Sequence, residues 1–208
     1  MKTRKTLLFL SWGALILFSI HFYIEDAVAY LFGYRNERFA GNEFWFAVHI
    51  LGATCSLFLG PIQFWKSIRT KYLRFHRIAG KIYIIGSLVA AVTAFRLALI
   101  YNCIGCRYSL IPLSILFFTT TALAWYAVLQ RNITAHQQFM TRSYACALAF
   151  VFVRLYQVLP IGFIFNPITS DDVFSVVAEW TFSILPLLLV EIFMIWIPSL
   201  TRPAIRVN

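Results

Sequence analysis

Six long apolar stretches, separated by short polar connections, dominate the pattern of the chain. They run over roughly residues 7–24, 44–65, 79–101, 109–129, 143–165 and 174–197. A helix needs about 20 apolar residues to cross the hydrocarbon core of a bilayer. The strands of a transmembrane β-barrel would instead alternate over segments of about ten residues. The pattern therefore predicts an all-α integral membrane protein, a bundle of six transmembrane helices.

Composition agrees with a membrane environment. The chain is 61% hydrophobic and only 12% charged, whereas a soluble globular protein is roughly 45–50% apolar and about 25% charged. Its 208 residues suit one compact bundle. We therefore expect a single polytopic membrane domain over residues 1–208.

The distribution of positive charge predicts the orientation. With the N-terminus inside, 13 of the 18 basic residues fall on the cytoplasmic side and three fall outside, which is a strong positive-inside bias. The cytoplasmic ones are Lys2, Arg4, Lys5, Lys66, Arg69, Lys71, Arg74, Arg77, Lys81, Arg131, Arg142, Arg202 and Arg206. The bias predicts a protein of the cell (inner or plasma) membrane, with both termini cytoplasmic.

The first apolar stretch also resembles a cleavable signal peptide. A basic start is followed by an apolar run from Leu7 to Ile20 and by the small residues Ala27, Val28 and Ala29. The run continues to Ile24 and contains the bulky Trp12, which favours a retained helix. Cleavage would leave five spans and an external N-terminus.

Basic and aromatic residues alternate between Lys66 and Lys81, a mixture that also occurs in proteins that bind nucleic acid. Beside a membrane span, attraction to anionic lipid with aromatic anchoring explains it more simply. We therefore expect the lipid bilayer as partner and no nucleic acid.

Four cysteines are too few and too scattered for a disulfide scaffold. Cys55 and Cys146 lie inside apolar stretches, as packing residues do. Cys103 and Cys106 are separated by two residues, and no second pair lies near enough to complete a zinc site. They form either a local extracytoplasmic disulfide or two free thiols.

The four histidines fall into two layers. His21 and His49 are expected about 6–9 Å below the outer boundary, and His76 and His136 lie at the inner boundary. Two histidines at equal depth on neighbouring helices are what bis-imidazole ligation of a haem requires. Two such layers could carry electrons across the membrane.

Helical phase aligns three of these histidines with small side chains. A flat macrocycle could approach the backbone there, although small-residue stripes are also how membrane helices pack together. The aligned sets are His49, Gly52, Ala53, Ser56 and Gly60; His76, Gly80, Tyr83, Ser87, Ala91 and Ala94; and His136, Met140, Ser143, Ala147 and Arg154.

Charged side chains inside a span are functional candidates because lipid disfavours them. Arg154 is expected near the bilayer centre, where Glu191 is the acidic residue at comparable depth. Arg96 lies nearer the outside, within reach of Glu25, Asp26 or Glu179. Structural pairing is the simplest role, and a haem propionate or a lipid headgroup would also suit either arginine.

Four short motifs resemble a known family. Residues 49–52 (HILG), 60–64 (GPIQF), 76–83 (HRIAGKIY) and 136–144 (HQQFMTRSY), followed by Arg154, resemble the predicted bacterial membrane-protein family called domain of unknown function 2306. The resemblance covers about residues 45–155. It implies a polytopic membrane protein whose motif residues include His49, His76, His136 and Arg154, and it implies no particular activity. His21 lies outside it, which leaves three motif histidines.

Three hypotheses about function stay open. The first is a transmembrane redox protein that binds b-type haem through His49 and one or both of His76 and His136, with a quinone or a membrane protein as redox partner. Three motif histidines are an odd number, which fits best with a single haem between two of them, or with one haem and a quinone-binding histidine. The second is a non-redox carrier or sensor of a small molecule or lipid, with Arg96, Arg154 and Glu191 lining a polar cavity. The third is a structural membrane subunit.

No phosphate-binding loop, nucleophile elbow or paired metal-binding histidine motif indicates an enzyme class.

Overall fold

In a computed structural model the described residues are 41–158 and 171–201, with isolated helical positions at 13, 16–18, 20, 21 and 24. At 150, 154–158, 171 and 172 only the backbone is described. The predicted first span therefore lies mostly outside the described residues. The described residues form helices and no strand, as the apolar pattern predicts.

The helices follow one another with short connections. They are α1 (Glu43–Phe64), α2 (Lys66–Lys71), α3 (Leu73–Ile100), α4 (Ile104–Leu129), α5 (Ile133–Val158) and α6 (Asp171–Val190), which continues through a π-helical segment, Glu191–Trp196, into α7 (Ile197–Thr201). The turn before α5 contains Arg131 with a φ of 58°, a left-handed conformation that ends α4 and reverses the chain.

Four stretches among the described residues are long and apolar enough to cross a membrane: Glu43–Phe64, Leu73–Ile100, Ile104–Leu129 and Val173–Thr201. Helix α5 is not one of them, because its first half carries His136, Gln137, Gln138 and Arg142 among its apolar residues. At 26 residues it is nevertheless about 39 Å long. These four spans support the helical membrane fold without reaching the predicted number of six.

Helices α1, α3, α4 and α5 form a four-sided arrangement. α1 and α4 each pack against both α3 and α5, so α3 and α5 lie diagonally opposite each other. α6 packs on the side formed by α4 and α5. The inward-facing side chains of α3 and α5 therefore point toward each other across the centre of the bundle.

The bundle buries small polar side chains among the apolar residues of its core, and its outer surface is apolar. Ten polar side chains are buried among the described residues, most of them serines and threonines. Large apolar side chains such as Leu51 and Ile85, which are 67% and 62% exposed, cover the outer surface. Soluble proteins rarely expose such continuous apolar surface, so this arrangement fits a lipid environment.

Candidate functional site

His76 and His136 lie at the same end of the bundle. Each lies in the first turn of its helix, α3 or α5, and each imidazole is half-buried and within electrostatic range of the other. Seven residues further along, Tyr83 and Ser143 share a hydrogen bond of 2.9 Å between their hydroxyl oxygens. Seven residues make nearly two full turns, about 10.5 Å, so the histidines occupy the same inward faces two turns below this bond.

A backbone carbonyl fixes the tautomer of His136. Its Nδ1 lies 2.8 Å from the Ala124 carbonyl oxygen of α4. A carbonyl oxygen only accepts hydrogen bonds, so Nδ1 carries the proton and donates it. The other ring nitrogen, Nε2, then has a free lone pair. Histidines that ligate metals commonly donate their other ring N–H to a backbone carbonyl in the same way.

Gln63 and His76 bring unpaired polar atoms to the same end. Gln63 is only 6% exposed in the last turn of α1. Its Nε2 and the Nδ1 of His76 are buried without a hydrogen-bond partner among the described residues. A Cβ built on Gly80 would lie 3.1 Å from Gln63 Oε1, and Gly80 is one turn beyond His76 on α3. An unpaired buried donor is costly, which makes this end a candidate ligand site.

The residues Gln63, His76 and His136 are called the inner cluster below. The sequence reasoning identified its two histidines and missed Gln63, because an amide is not ionisable and does not stand out in an apolar stretch. The available signal was its place in the GPIQF motif at the end of α1.

His49 lies apart from the inner cluster. Its Nδ1 is 3.0 Å from the Ala90 carbonyl oxygen, to which it donates, and 3.3 Å from Thr93 Oγ1. Ala90 is 14 residues beyond His76 on α3, about 21 Å along the helix axis. The described histidines of α1, α3 and α5 therefore occupy two levels, as predicted, with His49 alone at its level. His21, at one of the isolated helical positions, has an exposed side chain.

The small-residue stripe beside His49 serves helix packing. A Cβ on Gly52 would lie 2.7 Å from the Gly86 carbonyl oxygen and 2.9 Å from the Ala90 backbone nitrogen, so the backbones of α1 and α3 touch here. A Cβ on Gly60 would meet the ring of Tyr144 at 2.0 Å. The expectation that this stripe offers space to a flat macrocycle is wrong, because backbone and an aromatic ring already fill it.

Glu191 has a partner that the sequence does not predict. Arg142 donates to its carboxylate: Nε bonds Oε1, and Nη2 bonds Oε2 at 3.0 Å. The prediction placed Arg142 in a cytoplasmic connection, whereas α5 already begins at Ile133. The side chain of Arg154 lies outside the described residues. Arg96 is half-buried, and two of its predicted partners, Glu25 and Asp26, lie outside the described residues.

A chain of hydroxyl groups fills the bundle between the two histidine levels. Ser56 and Ser87 lie 2.8 Å apart, and Ser143 also bonds Thr121 at 2.7 Å. Tyr83, fully buried, interacts with both Ser87 and Ser143. These groups join α1, α3, α4 and α5 by hydrogen bonds, which is how polar side chains hold membrane helices together.

Within the described residues no group of three or more histidine, cysteine or acidic side chains could hold a bare metal ion. A haem iron needs only two axial protein ligands, so this finding does not bear on haem.

The buried hydroxyl groups, the apolar surface and the helical spans define a polytopic helical membrane protein. The model of the family described as "Predicted membrane protein (DUF2306)" matches residues 46–195, and the chain belongs to that family. The match extends the predicted resemblance from residue 155 through all of α6 and most of the π segment, and it contains the whole inner cluster. No curated protein and no solved structure matches the chain.

Proposed function

We propose that the chain is a membrane redox protein in which His76 and His136 would hold the iron of one b-type haem. The observation that carries this proposal is the placement of two half-buried imidazoles from diagonal helices at one level of the bundle. The donor set has the right chemistry, because the Ala124 carbonyl leaves Nε2 of His136 free as a ligand. Haem supplies one-electron chemistry when bound.

Other residues of the inner cluster have roles in this proposal. The unpaired Nε2 of Gln63 is a donor for a polar group at the haem edge. Arg69 and Arg77 act electrostatically on His76 and supply positive charge for the haem propionates. Binding of an anionic cofactor would give the unpaired donor a hydrogen-bond acceptor and would give the nearby arginines a negative charge to pair with.

His49 suits the hydroxyl of a quinol in the same proposal. Its Nδ1 proton is used by Ala90, so its Nε2 accepts a hydrogen bond and cannot donate one while the ring is neutral. A quinol O–H has the matching donor. A quinone or a membrane redox protein is thus the proposed electron partner, and Arg154 stays a proposed contact to a propionate.

The experiment is an absorbance spectrum of protein expressed with ample haem and purified in detergent, first oxidised and then reduced with dithionite. We expect a Soret band that shifts on reduction. His76→Ala and His136→Ala should each lower the haem content at least about tenfold. The matched controls His49→Ala and Gln137→Ala should keep it. A haem-free wild type, or full haem content in His136→Ala, would contradict the proposal.

A second function rests on the unpaired polar atoms alone. In a carrier or sensor, Gln63 Nε2 would donate to a carbonyl or anionic group of a small molecule or lipid, and His76 Nδ1 would donate or accept according to its tautomer. A haem-free protein whose native mass spectrum contains a bound molecule, lost in Gln63→Leu, would favour this function. Retention of that molecule by Gln63→Leu would exclude the inner cluster as its site.

The proposal includes the full membrane arrangement that the sequence predicts. It comprises six spans with both ends in the cytoplasm, in a cell membrane, and it puts the inner cluster near the cytoplasmic face. The positive charges of α2 and the start of α3 support this orientation.

A further inference from the structure

A disulfide joins Cys103 and Cys106 at the end of α4 remote from the inner cluster. Cys103 is the residue that caps the N-terminus of α4, and only two residues separate it from the last residue of α3. We propose that Cys103 and Cys106 form a thiol–disulfide exchange site that accepts two electrons from a dithiol protein.

The two sulfur atoms have unequal surroundings. Cys106 is 3% exposed, whereas Cys103 is half-buried. On the open side of the turn, Ile104 and Tyr108 are 65% and 67% exposed. Attack on a disulfide depends on access to the sulfur, so an incoming thiolate reaches Cys103 and not Cys106.

The turn also stabilises a thiolate on Cys103. The backbone N–H of Cys106 donates to Cys103 Sγ at 3.1 Å. Arg107 folds back so that its Nε donates to the Tyr101 carbonyl oxygen at 2.5 Å, which keeps a positive charge in the same turn. A helix N-terminus and a neighbouring cation are the features that stabilise thiolates of reactive cysteines. Cys103 is therefore a good leaving group.

A structural role explains this disulfide poorly. A bridge stabilises a protein mainly by restricting its unfolded chain, and the effect shrinks as the closed loop shortens. Only two residues lie between these cysteines. The turn is held in addition by α6, because a Cβ on Gly105 would lie 2.5 Å from Val176 Cγ2. Gly105 thus packs against α6 and anchors the turn, whereas the side of the turn that carries Cys103 stays accessible.

The exchange proceeds in two steps. A thiolate of the partner attacks Cys103 Sγ and forms a mixed disulfide, while the bond between Cys103 and Cys106 breaks. The electron pair of that bond leaves on Cys106 Sγ, which takes a proton from solvent. The partner's second thiol then loses its proton and attacks the partner sulfur of the mixed disulfide. Cys103 leaves as a thiolate and is then protonated, and the partner becomes a disulfide.

The test uses the full chain with Cys55→Ala and Cys146→Ala, so that only the pair can react. Purified protein is equilibrated with dithiothreitol in its reduced and oxidised forms, and free thiols are counted by the mass added on alkylation with a maleimide. We expect a reversible two-electron transition with the fold intact. Reduction that occurs only after denaturation, or that lowers the Tm by more than a few degrees, would mark a structural disulfide and overturn the proposal.

Single-cysteine variants test the assignment of the attacked sulfur. In the same background, Cys106→Ala leaves Cys103 and Cys103→Ala leaves Cys106. The Cys103 thiol should react with an aromatic disulfide reagent at least about tenfold faster than the Cys106 thiol. Equal rates, or a faster Cys106, would overturn it. Neither measurement involves haem, so this proposal stands or fails separately from the proposed function.

Discussion

Arg142 and Glu191 are a bidentate ion pair inside the bundle, with 21% and 25% of their side chains exposed. Arg142 also lies over the ring of Phe139, 5.3 Å from its centroid. In a poorly hydrated site each charge depends on the other, because neither is well solvated alone. The pair links α5 to the start of the π segment and so ties the last described helix to the bundle.

Removing one member of the Arg142–Glu191 pair should destabilise the protein more than removing both. Arg142→Met or Glu191→Leu alone leaves an uncompensated charge and should lower the free energy of unfolding by about 3 kcal/mol. The double variant should lose less than either single one. Unfolding in mixed detergent micelles, followed by circular dichroism, measures all three. Losses that simply add in the double variant would show that the charges are independent.

At this scale the sequence identifies the right kinds of residue but not all of their partners. It predicts His76 and His136 at one level, and the structure has both in the first turns of α3 and α5. It pairs Glu191 with Arg154 because depth is counted from the edge of an apolar stretch. Helix α5 begins ten residues before that stretch, so Arg142 is already inside the bundle. Hydropathy locates apolar residues, whereas a helix can begin with a polar turn.

The close contact between α1 and α3 is the main feature at the scale of elements. Gly52 and Gly86 let the two backbones touch, and the hydroxyl groups of Ser56 and Ser87 bond across the same seam. The sequence predicted the helices themselves well, since the stretches 44–65 and 109–129 nearly coincide with α1 and α4. It could not decide whether the glycine stripe serves a cofactor or a neighbouring helix, because both need small residues.

Gly52→Ala should separate these two helices. Alanine favours a helix over glycine, but here its Cβ would meet backbone atoms that cannot rotate away. We expect a loss of about 1–3 kcal/mol in the free energy of unfolding. The control Leu51→Ala, on the exposed side of α1, should change it by about 0.5 kcal/mol or less. Equal effects from the two variants would argue against a tight seam.

At the scale of the whole molecule, the two proposed redox sites lie at opposite ends of the bundle. The inner cluster is at the first turns of α3 and α5, and the cysteine pair is at the first turn of α4. Because α3 and α4 run in opposite directions, their first turns face opposite sides of a membrane. Positive charge predicts that the end with the inner cluster is cytoplasmic.

Labelling from one side decides the orientation. In a chain with all four cysteines changed to alanine, Asn102→Cys and Gln130→Cys each introduce one thiol at an exposed position in a connection. A membrane-impermeant maleimide added to intact cells should label Asn102→Cys and leave Gln130→Cys unlabelled until the cells are opened. The opposite pattern would invert the proposed topology and put the inner cluster outside.

The π segment Glu191–Trp196 has a consequence for changes in the length of the chain. A π turn contains one residue more than an α turn, so deleting one residue from it would restore a regular helix. Only the residues beyond the deletion would then rotate about the helix axis. None of the described residues in that part is buried. Met194, Trp196 and Leu200, for example, are 60%, 54% and 83% exposed. Single-residue insertions and deletions in this family should therefore be tolerated near this segment, downstream of the Arg142–Glu191 pair.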